Sequence, residues 1–180
     1  MLTAYVNPSI QLFMLNEQHV DALSTLTLNN QDYLSQWLPW AIDYQGISDT
    51  QAFIDNAQCE YQAKQAEYYV IFYQAQLCGV INLFNLNAAN QSCELGYWLD
   101  AECQGHGIMT QTVAFLSGYG FNTLCKNKIM IRAAEHNQAS RRIPERLGFH
   151  LDGLLREHER LGDAYVSHAI YSLLKREWQF

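Results

Sequence analysis

The segment Glu94-Leu95-Gly96-Tyr97-Trp98-Leu99-Asp100-Ala101-Glu102-Cys103-Gln104-Gly105-His106-Gly107-Ile108-Met109-Thr110 passes from a strand pattern through two spaced glycines into a helix pattern. A helix N-terminus leaves backbone N–H groups without intrahelical partners and carries partial positive charge. Glycines there let an anion approach the backbone closely. Gln104–Thr110 therefore reads as a phosphate cradle, although two glycines also suit an ordinary loop. Other phosphate loops fit worse. No Lys follows Gly107, as a Walker A loop requires. Thr110 stands where a dinucleotide fingerprint has its third glycine. Glu94, at the head of the strand, has two readings: a general base or a solvated strand-end carboxylate.

The elements that would position these residues follow from periodicity. A strand is expected near Ser9–Leu15, then a helix capped by Asn16 with Val20 and Leu23 on one face. Gln36–Trp40 breaks that pattern, its two Trp flanking Pro39 as a packed loop or contact surface. Ser48-Asp49-Thr50-Gln51 has the spacing of a capping box, with Ile54, Ala57 and Tyr61 on the helix that follows. Glu67–Tyr73 and Leu77–Asn85 predict a hairpin across Gln74-Ala75-Gln76, and Cys93–Leu99 a third strand. A helix follows Gly107, with Met109, Val113, Leu116 and Gly120 at helical spacing. Lys128–Ala134 alternates as a strand. Ser140–Leu147 is a short helix stopped by Gly148. Two strands near Phe149–Arg156 and Ala164–Leu174 join through Gly162-Asp163. The order predicts an α/β (α+β) fold with a mixed, largely antiparallel sheet and flanking helices.

A chain of 180 residues with 49% hydrophobic and 16% charged residues suits a single domain over 1–180. Its net charge of −7 argues against a nucleic-acid partner. No apolar run approaches the ~20 residues of a membrane span. The N-terminus lacks a basic signal-peptide region, so a cytoplasmic location is expected. Charge is uneven: residues 1–63 hold seven carboxylates and no Lys or Arg, whereas 126–180 hold ten Lys or Arg against seven carboxylates. Five cysteines without a C-x-x-C pair point to reduced, mostly buried thiols rather than disulfides. No His spacing suggests a metal site, and none is expected.

Gln104-Gly105-His106-Gly107-Ile108-Met109 resembles the diphosphate-binding motif [QR]-x-x-G-x-[GA] of the GNAT superfamily of acyl-CoA N-acyltransferases, with Met109 in the small-residue place. Asn137-Gln138-Ala139-Ser140, followed by Leu147-Gly148-Phe149, resembles that superfamily's second motif. Trp37-Leu38-Pro39-Trp40, Gly96-Tyr97-Trp98-Leu99, Leu154-Leu155-Arg156-Glu157 and Val166–Leu174 resemble the ribosomal-protein N-acetyltransferases of the RimJ/RimL type. The similarity runs in order along nearly the whole chain.

The resemblance implies direct acetyl transfer from acetyl-CoA, held between two splayed strands, to an amine. It implies that backbone near Trp98 and Leu99 binds the pantetheine and polarises the thioester carbonyl. By the same likeness, Gln104, Gly105, His106, Gly107, Ile108, Met109 and Thr110 hold the pyrophosphate, with Asn137 and Ser140 also touching CoA. Glu94 is the candidate base and Glu135 the reserve. Many relatives place a general-acid Tyr four residues before the second motif's glycine, where this chain has Pro144; Ser140 is the substitute candidate. For Asn137 and Ser140 the alternative is helix capping. Arg141, Arg142 and Arg146 could reach the CoA phosphates, but the three span different faces of one short helix. Cys103 reads as an inert thiol rather than an acyl carrier, and His106 as a loop residue facing solvent.

The expected activity is thus acetyl-CoA-dependent N-acetylation, with a ribosomal-protein N-terminus as acceptor. Two alternatives stand beside it: a small amine acceptor (polyamine or aminoglycoside), or an acyl-CoA-binding sensor without turnover. No nucleic-acid or membrane partner is expected, and the chain is a monomer or homodimer.

Overall fold

The structure, a computed structural model, describes residues 3–179. Met1, Leu2 and Phe180, at the ends of the expected 1–180 domain, lie outside the described residues. The described strands form one sheet in the order β1-β2-β3-β4-β5-β6-β8-β7. Residue contacts divide the chain into two compact units. The first takes the chain up to Asn82 together with Tyr97–Ile108. The second takes Leu83–Gly96 and the chain from Met109 onward.

In the first unit, β1 (Thr3–Asn7) and β2 (Ile10–Met14) are antiparallel. The turn between them is held by Asn7, whose Oδ1 accepts the backbone N–H groups of Ser9 and Ile10 at 2.8 and 2.9 Å. The sequence pattern gave no sign of β1, because an edge strand with Tyr5 66% exposed has no buried face to mark it. Asn16 does cap, its Oδ1 accepting from Gln18 N at 2.9 Å. The turn it caps is a 3-10 turn, Glu17–His19, and α1 (Val20–Asn29) follows with Val20 and Leu23 buried. Short helices α2 (Gln31–Leu34) and α3 (Pro39–Ile42) come next, Pro39 supplying the fixed φ that suits a first helical turn.

The expected cap at Ser48 is corrected by the structure. Helix α4 (Ile47–Gln62) starts ahead of Ser48, at Gly46, whose φ of 119° is a conformation that only glycine adopts readily. Asp49 closes this turn by accepting Gln45 N–H at 2.6 Å. Ile54 and Ala57 are buried as expected, whereas Tyr61, a turn later, is exposed. β3 (Glu67–Tyr73) and β4 (Gln76–Asn87) follow. Their link turns on Gln74 and Ala75, at φ 49° and 66°. Two successive left-handed residues match the twist of paired strands, so the hairpin forms without glycine. Leu15, Val20, Leu23, Ile54, Ala57, Val70 and Val80 make the apolar core here, and Trp98 packs against it.

The second unit contains the first part of β5 (Ser92–Leu99) and most of α5 (Ile108–Asn122). It also contains β6 (Lys128–Ala134), α6 (Gln138–Arg146), β7 (His150–Leu161) and β8 (Ala164–Leu174). Met109, Val113 and Leu116 are buried on α5. Gly120 allows that helix to lie close on β6, since an added Cβ would stand 2.9 Å from Ile129 Cδ1. β5 and β6 are parallel, whereas β8 is antiparallel to both β6 and β7. The fold class is therefore the expected one: a mixed, largely antiparallel sheet with flanking helices. Among the described residues no helix is long and apolar enough to cross a membrane.

Candidate active site

Within the first unit, β5 leads into the glycine loop through a set of fixed contacts. Asp100 donates its N–H to Cys78 O at 2.7 Å. Asp100 thus faces β4, and strand alternation turns the backbone groups of Leu99 the other way. Gly79 on β4 makes room for this strand: a Cβ there would stand 2.3 Å from the Trp98 carbonyl oxygen. A 3-10 turn, Ala101–Cys103, is capped by Asp100. Asn30, at the end of α1, accepts the Ala101 N–H at 3.0 Å. The Gln104 side chain bonds the Tyr33 hydroxyl, whose pKa burial pushes up and that bond pulls back.

Gly105 and Gly107 have φ of 81° and 72°, so each glycine is needed for conformation, and helix α5 begins at Ile108. Gln104, Gly105, His106 and Gly107 are exposed, Thr110 is half-buried, and Ile108 and Met109 are buried. The exposed part of the loop is its backbone and the side chains of Gln104 and His106, whereas Ile108 and Met109 use their side chains for packing. His106 is exposed as expected. It is not free of neighbours, since its ring lies 5.9 Å from that of Tyr73 and its Nδ1 lies 3.4 Å from Cys103 O. Open space surrounds Gly105, with nothing within 4 Å of an added Cβ.

Aromatic rings stand over the same strand. Trp40, about half exposed, lies 6.4 Å from Trp98 and 6.3 Å from Tyr44, centroid to centroid. Gln31 fixes this loop by donating Nε2 to Ala41 O and Tyr44 O, each at 3.0 Å. The exposed face of Trp40 is a wall that a bound acceptor could touch.

Glu94 is in the second unit. Its side chain is 12% exposed and lies 2.7 Å from Arg132 Nε through Oε2. Its Oε1 accepts from Asn85 Nδ2 at 2.8 Å. The bland reading, a solvated strand-end carboxylate, does not describe it: both oxygens are held. The pairing of β5 with β6 runs from Ser92–Lys128 to Leu95–Ile131. Both strands continue past that last pair, β5 to Leu99 and β6 to Ala134.

Asn137 and Ser140 stand together at the start of α6, Asn137 Oδ1 accepting the Ser140 N–H at 3.1 Å. Capping therefore occupies Asn137 Oδ1. Arg141 is committed inside the unit, donating Nε to Tyr171 Oη and Nη1 to Glu135 O, both at 2.9 Å. The Tyr171 hydroxyl in turn donates to Glu145 Oε1 at 2.7 Å. That leaves Arg142 and Arg146 as the exposed cations of this helix. Pro144 is buried in its last turn.

None of the five cysteines is in a disulfide, but only Cys78 and Cys93 are buried; Cys103 is half-buried and Cys59 and Cys125 are exposed. Burial, then the negative charge of Asp100, pushes the Cys103 thiol up. A thiol kept protonated is a poor nucleophile, which favours the inert reading. Among the described residues no cluster of His, Cys, Asp and Glu could hold a metal ion.

The hydrogen-bonding partners Asn30, Gln31, Tyr33, Asn85, Arg132 and His158 had no signal in the sequence. Asn30 bonds Ala101 and Arg132 bonds Glu94 from 71 and 38 residues away along the chain, and no local spacing marks such a partnership.

Comparison with known proteins agrees with this geometry. The family model described as acetyltransferase (GNAT) domain matches residues 10–150. The putative ribosomal N-acetyltransferase YdaF of Bacillus subtilis is 34% identical, the match covering 99% of this chain and 98% of that protein. The ribosomal-protein-serine acetyltransferase of Escherichia coli is 31% identical over 94% and 95%. Among solved structures, RimL, a ribosomal L7/L12 alpha-N-protein acetyltransferase in complex with coenzyme A, superposes with a TM-score of 0.93. It is 28% identical, covering 99% of this chain and all of that one.

Proposed function

The chain belongs to the acetyltransferase (GNAT) domain family, and we propose that it moves the acetyl group of acetyl-CoA to the N-terminal α-amino group of a ribosomal protein. The observation that carries the reading is the loop before α5. Two left-handed glycines and an exposed backbone follow directly on the Trp98–Leu99 strand end. Such a helix entrance suits a pyrophosphate. Relatives named for ribosomal-protein acetylation, matched over almost their full lengths, support the acceptor class.

In this reading Gln104, Gly105, His106 and Gly107, with the backbone of Ile108, Met109 and Thr110, hold the pyrophosphate. Backbone at Trp98 and Leu99 binds the pantetheine and polarises the thioester carbonyl. Asn137 and Ser140 bind the CoA chain, and Ser140 is the candidate proton donor to sulfur. Glu94 takes the proton that leaves the amine, directly or through water. The nitrogen lone pair attacks the thioester carbon, a C–N bond forms and the C–S bond breaks. Sulfur leaves as thiolate and takes one proton. The sum is an ammonium plus acetyl-CoA giving an amide, CoA thiol and one released proton.

The chemistry of the acceptor also favours an N-terminus. An α-amino group has a pKa of about 7.7–8.0, so roughly a tenth or more is neutral at pH 7, whereas a Lys-type amine near 10.4 is neutral to well under one part in a thousand. A carboxylate already engaged on both oxygens suits the amine that needs less help.

The test is intact-protein mass spectrometry after mixing the protein with acetyl-CoA and unmodified ribosomal proteins. The expected result is one acetyl increment on one protein, mapping to its N-terminal residue. Binding of acetyl-CoA with no increment on any ribosomal protein would overturn the acceptor assignment.

A further inference from the structure

Glu94 does not stand alone on its face of the sheet. It pairs with Met130 of β6 across the parallel ladder. Arg132, two residues on, shares that face and reaches back to Glu94 through Nε at 2.7 Å. The same guanidinium donates Nη1 to His158 Nε2 at 2.9 Å. The His158 ring lies 5.2 Å from that of His168, and His168 Nε2 lies 3.3 Å from Glu159 Oε2. With Asn85 on the far side of Glu94, one polar ladder crosses β4, β5, β6, β8 and β7, all within the second unit.

Strand register builds this ladder. Arg132 pairs with Ile170 and Ala134 with His168, so Arg132 and His168 face the same side. His158 reaches that side because β7 is irregular there. Its register with β8 shifts between Leu155 and Glu159, and Glu157 takes a φ of 50°. Bulges of this kind re-aim side chains near functional sites. The Ser167 hydroxyl oxygen accepts the Glu157 N–H at 3.2 Å and holds the irregular turn.

We propose that Arg132 and His158 are positioning residues for Glu94, fixing the orientation of the carboxylate that takes the amine's proton. The inference rests on the Glu94 reading given above. An arginine only donates, so His158 Nε2 must be the acceptor of the Nη1 bond. The planar guanidinium then has two fixed directions, one toward Glu94 and one toward His158, and cannot swing away from the carboxylate without losing the second bond. A lysine ammonium has three donors, but they rotate about one point at the end of a flexible stem, so it fixes neither direction as the planar fork does. Arg132 does not relay the proton, because a guanidinium does not give one up; it keeps the acceptor in register.

The test is steady-state kinetics on the full chain with acetyl-CoA and a synthetic peptide of the N-terminal sequence of the ribosomal protein that takes the acetyl increment in the mass-spectrometric test, for R132A, R132K, H158F, H158Q and E94Q, together with the double variant E94Q/R132A. We expect R132A and H158F to lower kcat about 10-fold or more, with the KM for acetyl-CoA changed less than about 2-fold. H158Q, whose amide oxygen can still accept from Nη1, should recover most of the rate that H158F loses, and R132K only part of what R132A loses. E94Q/R132A should be no slower than E94Q, because Arg132 acts through Glu94. If E94Q keeps the wild-type rate, the base assignment fails and takes this inference with it. If E94Q is slow while H158F and H158Q are equally active, or while R132A multiplies the E94Q defect, the positioning role alone is overturned. Should R132A fail to fold by circular dichroism, the His158 pair decides.

Discussion

The carbonyl oxygen of Trp98 lies so close to Gly79 that a Cβ at that glycine would stand 2.3 Å from it, and 3.0 Å from Leu99 Cα. Both obstacles are backbone, which no rotamer change can move. Gly79→Ala should therefore push β4 and β5 apart at the strand end that the proposed function gives to the pantetheine. The expected cost is about 1–3 kcal/mol of stability, in the range of overpacked sites. The KM for acetyl-CoA should rise with it. Urea unfolding and a KM measurement on the same preparation check both. A variant as stable as the wild type would show that the two strands can separate freely.

The glycine loop allows a cleaner separation of strain from function. Gly107 and Gly162 both have left-handed φ, 72° and 58°, and Ala at either costs about 1 kcal/mol or somewhat more. Gly107 is in the proposed pyrophosphate loop; Gly162 is in the β7–β8 turn. Gly107→Ala should raise the KM for acetyl-CoA several-fold, whereas Gly162→Ala should lose comparable stability and leave that KM alone. Equal KM values in the two variants would remove Gly107 from the cradle.

The segments legible in the sequence were those whose signal is local. Lys128–Ala134 shows its alternation in its own seven residues, and the structure gives β6 those same limits. Gly148 ends α6 with φ 76°, as a glycine after a helical stretch should. The glycine loop was legible because two closely spaced glycines ahead of a helix pattern mark left-handed backbone, which the structure has at both. Gly46 was not, because Ser48-Asp49-Thr50-Gln51 offers a competing cap signal, and only the backbone angle decides between them. Arg132 was not, because its partners are Glu94 and His158, at 38 and 26 residues' distance along the chain. Arg141 shows the converse: its charge suggested phosphate, and hydrogen bonds to the Tyr171 hydroxyl and the Glu135 carbonyl gave it a structural task.

Stability should fall on the acid side of neutrality, and His168 supplies part of the slope. Burial pushes its pKa below the ordinary 6.5, against the opposing pull of Glu159. The unfolded chain then binds the proton more readily than the folded one, so stability is full above about 6.5 and is lost as pH drops from there through the folded-state value. His19, also lowered by burial, acts in the same direction. Urea midpoints measured from pH 7.5 down to 5.0 should decline, and His168→Gln should flatten the decline over that window. A His168→Gln slope equal to the wild type's would exclude His168 as a contributor.

Alkylation should sort the cysteines by exposure and thiolate supply together. Cys59 and Cys125 are exposed, whereas Cys78 and Cys93 are buried. Cys103 is half-buried, and burial with Asp100 keeps its thiol protonated. Since only the thiolate reacts, iodoacetamide at pH 8 should label Cys59 and Cys125 first, Cys103 much later, and Cys78 and Cys93 only on unfolding. Peptide mass spectrometry over a time course reads the order. Cys103→Ser should keep kcat within about 2-fold, because direct attack by the amine needs no acyl-cysteine. Labelling of Cys103 ahead of the exposed pair would overturn the protonated-thiol reading, and a folded Cys103→Ser variant that binds acetyl-CoA without turnover would overturn direct transfer.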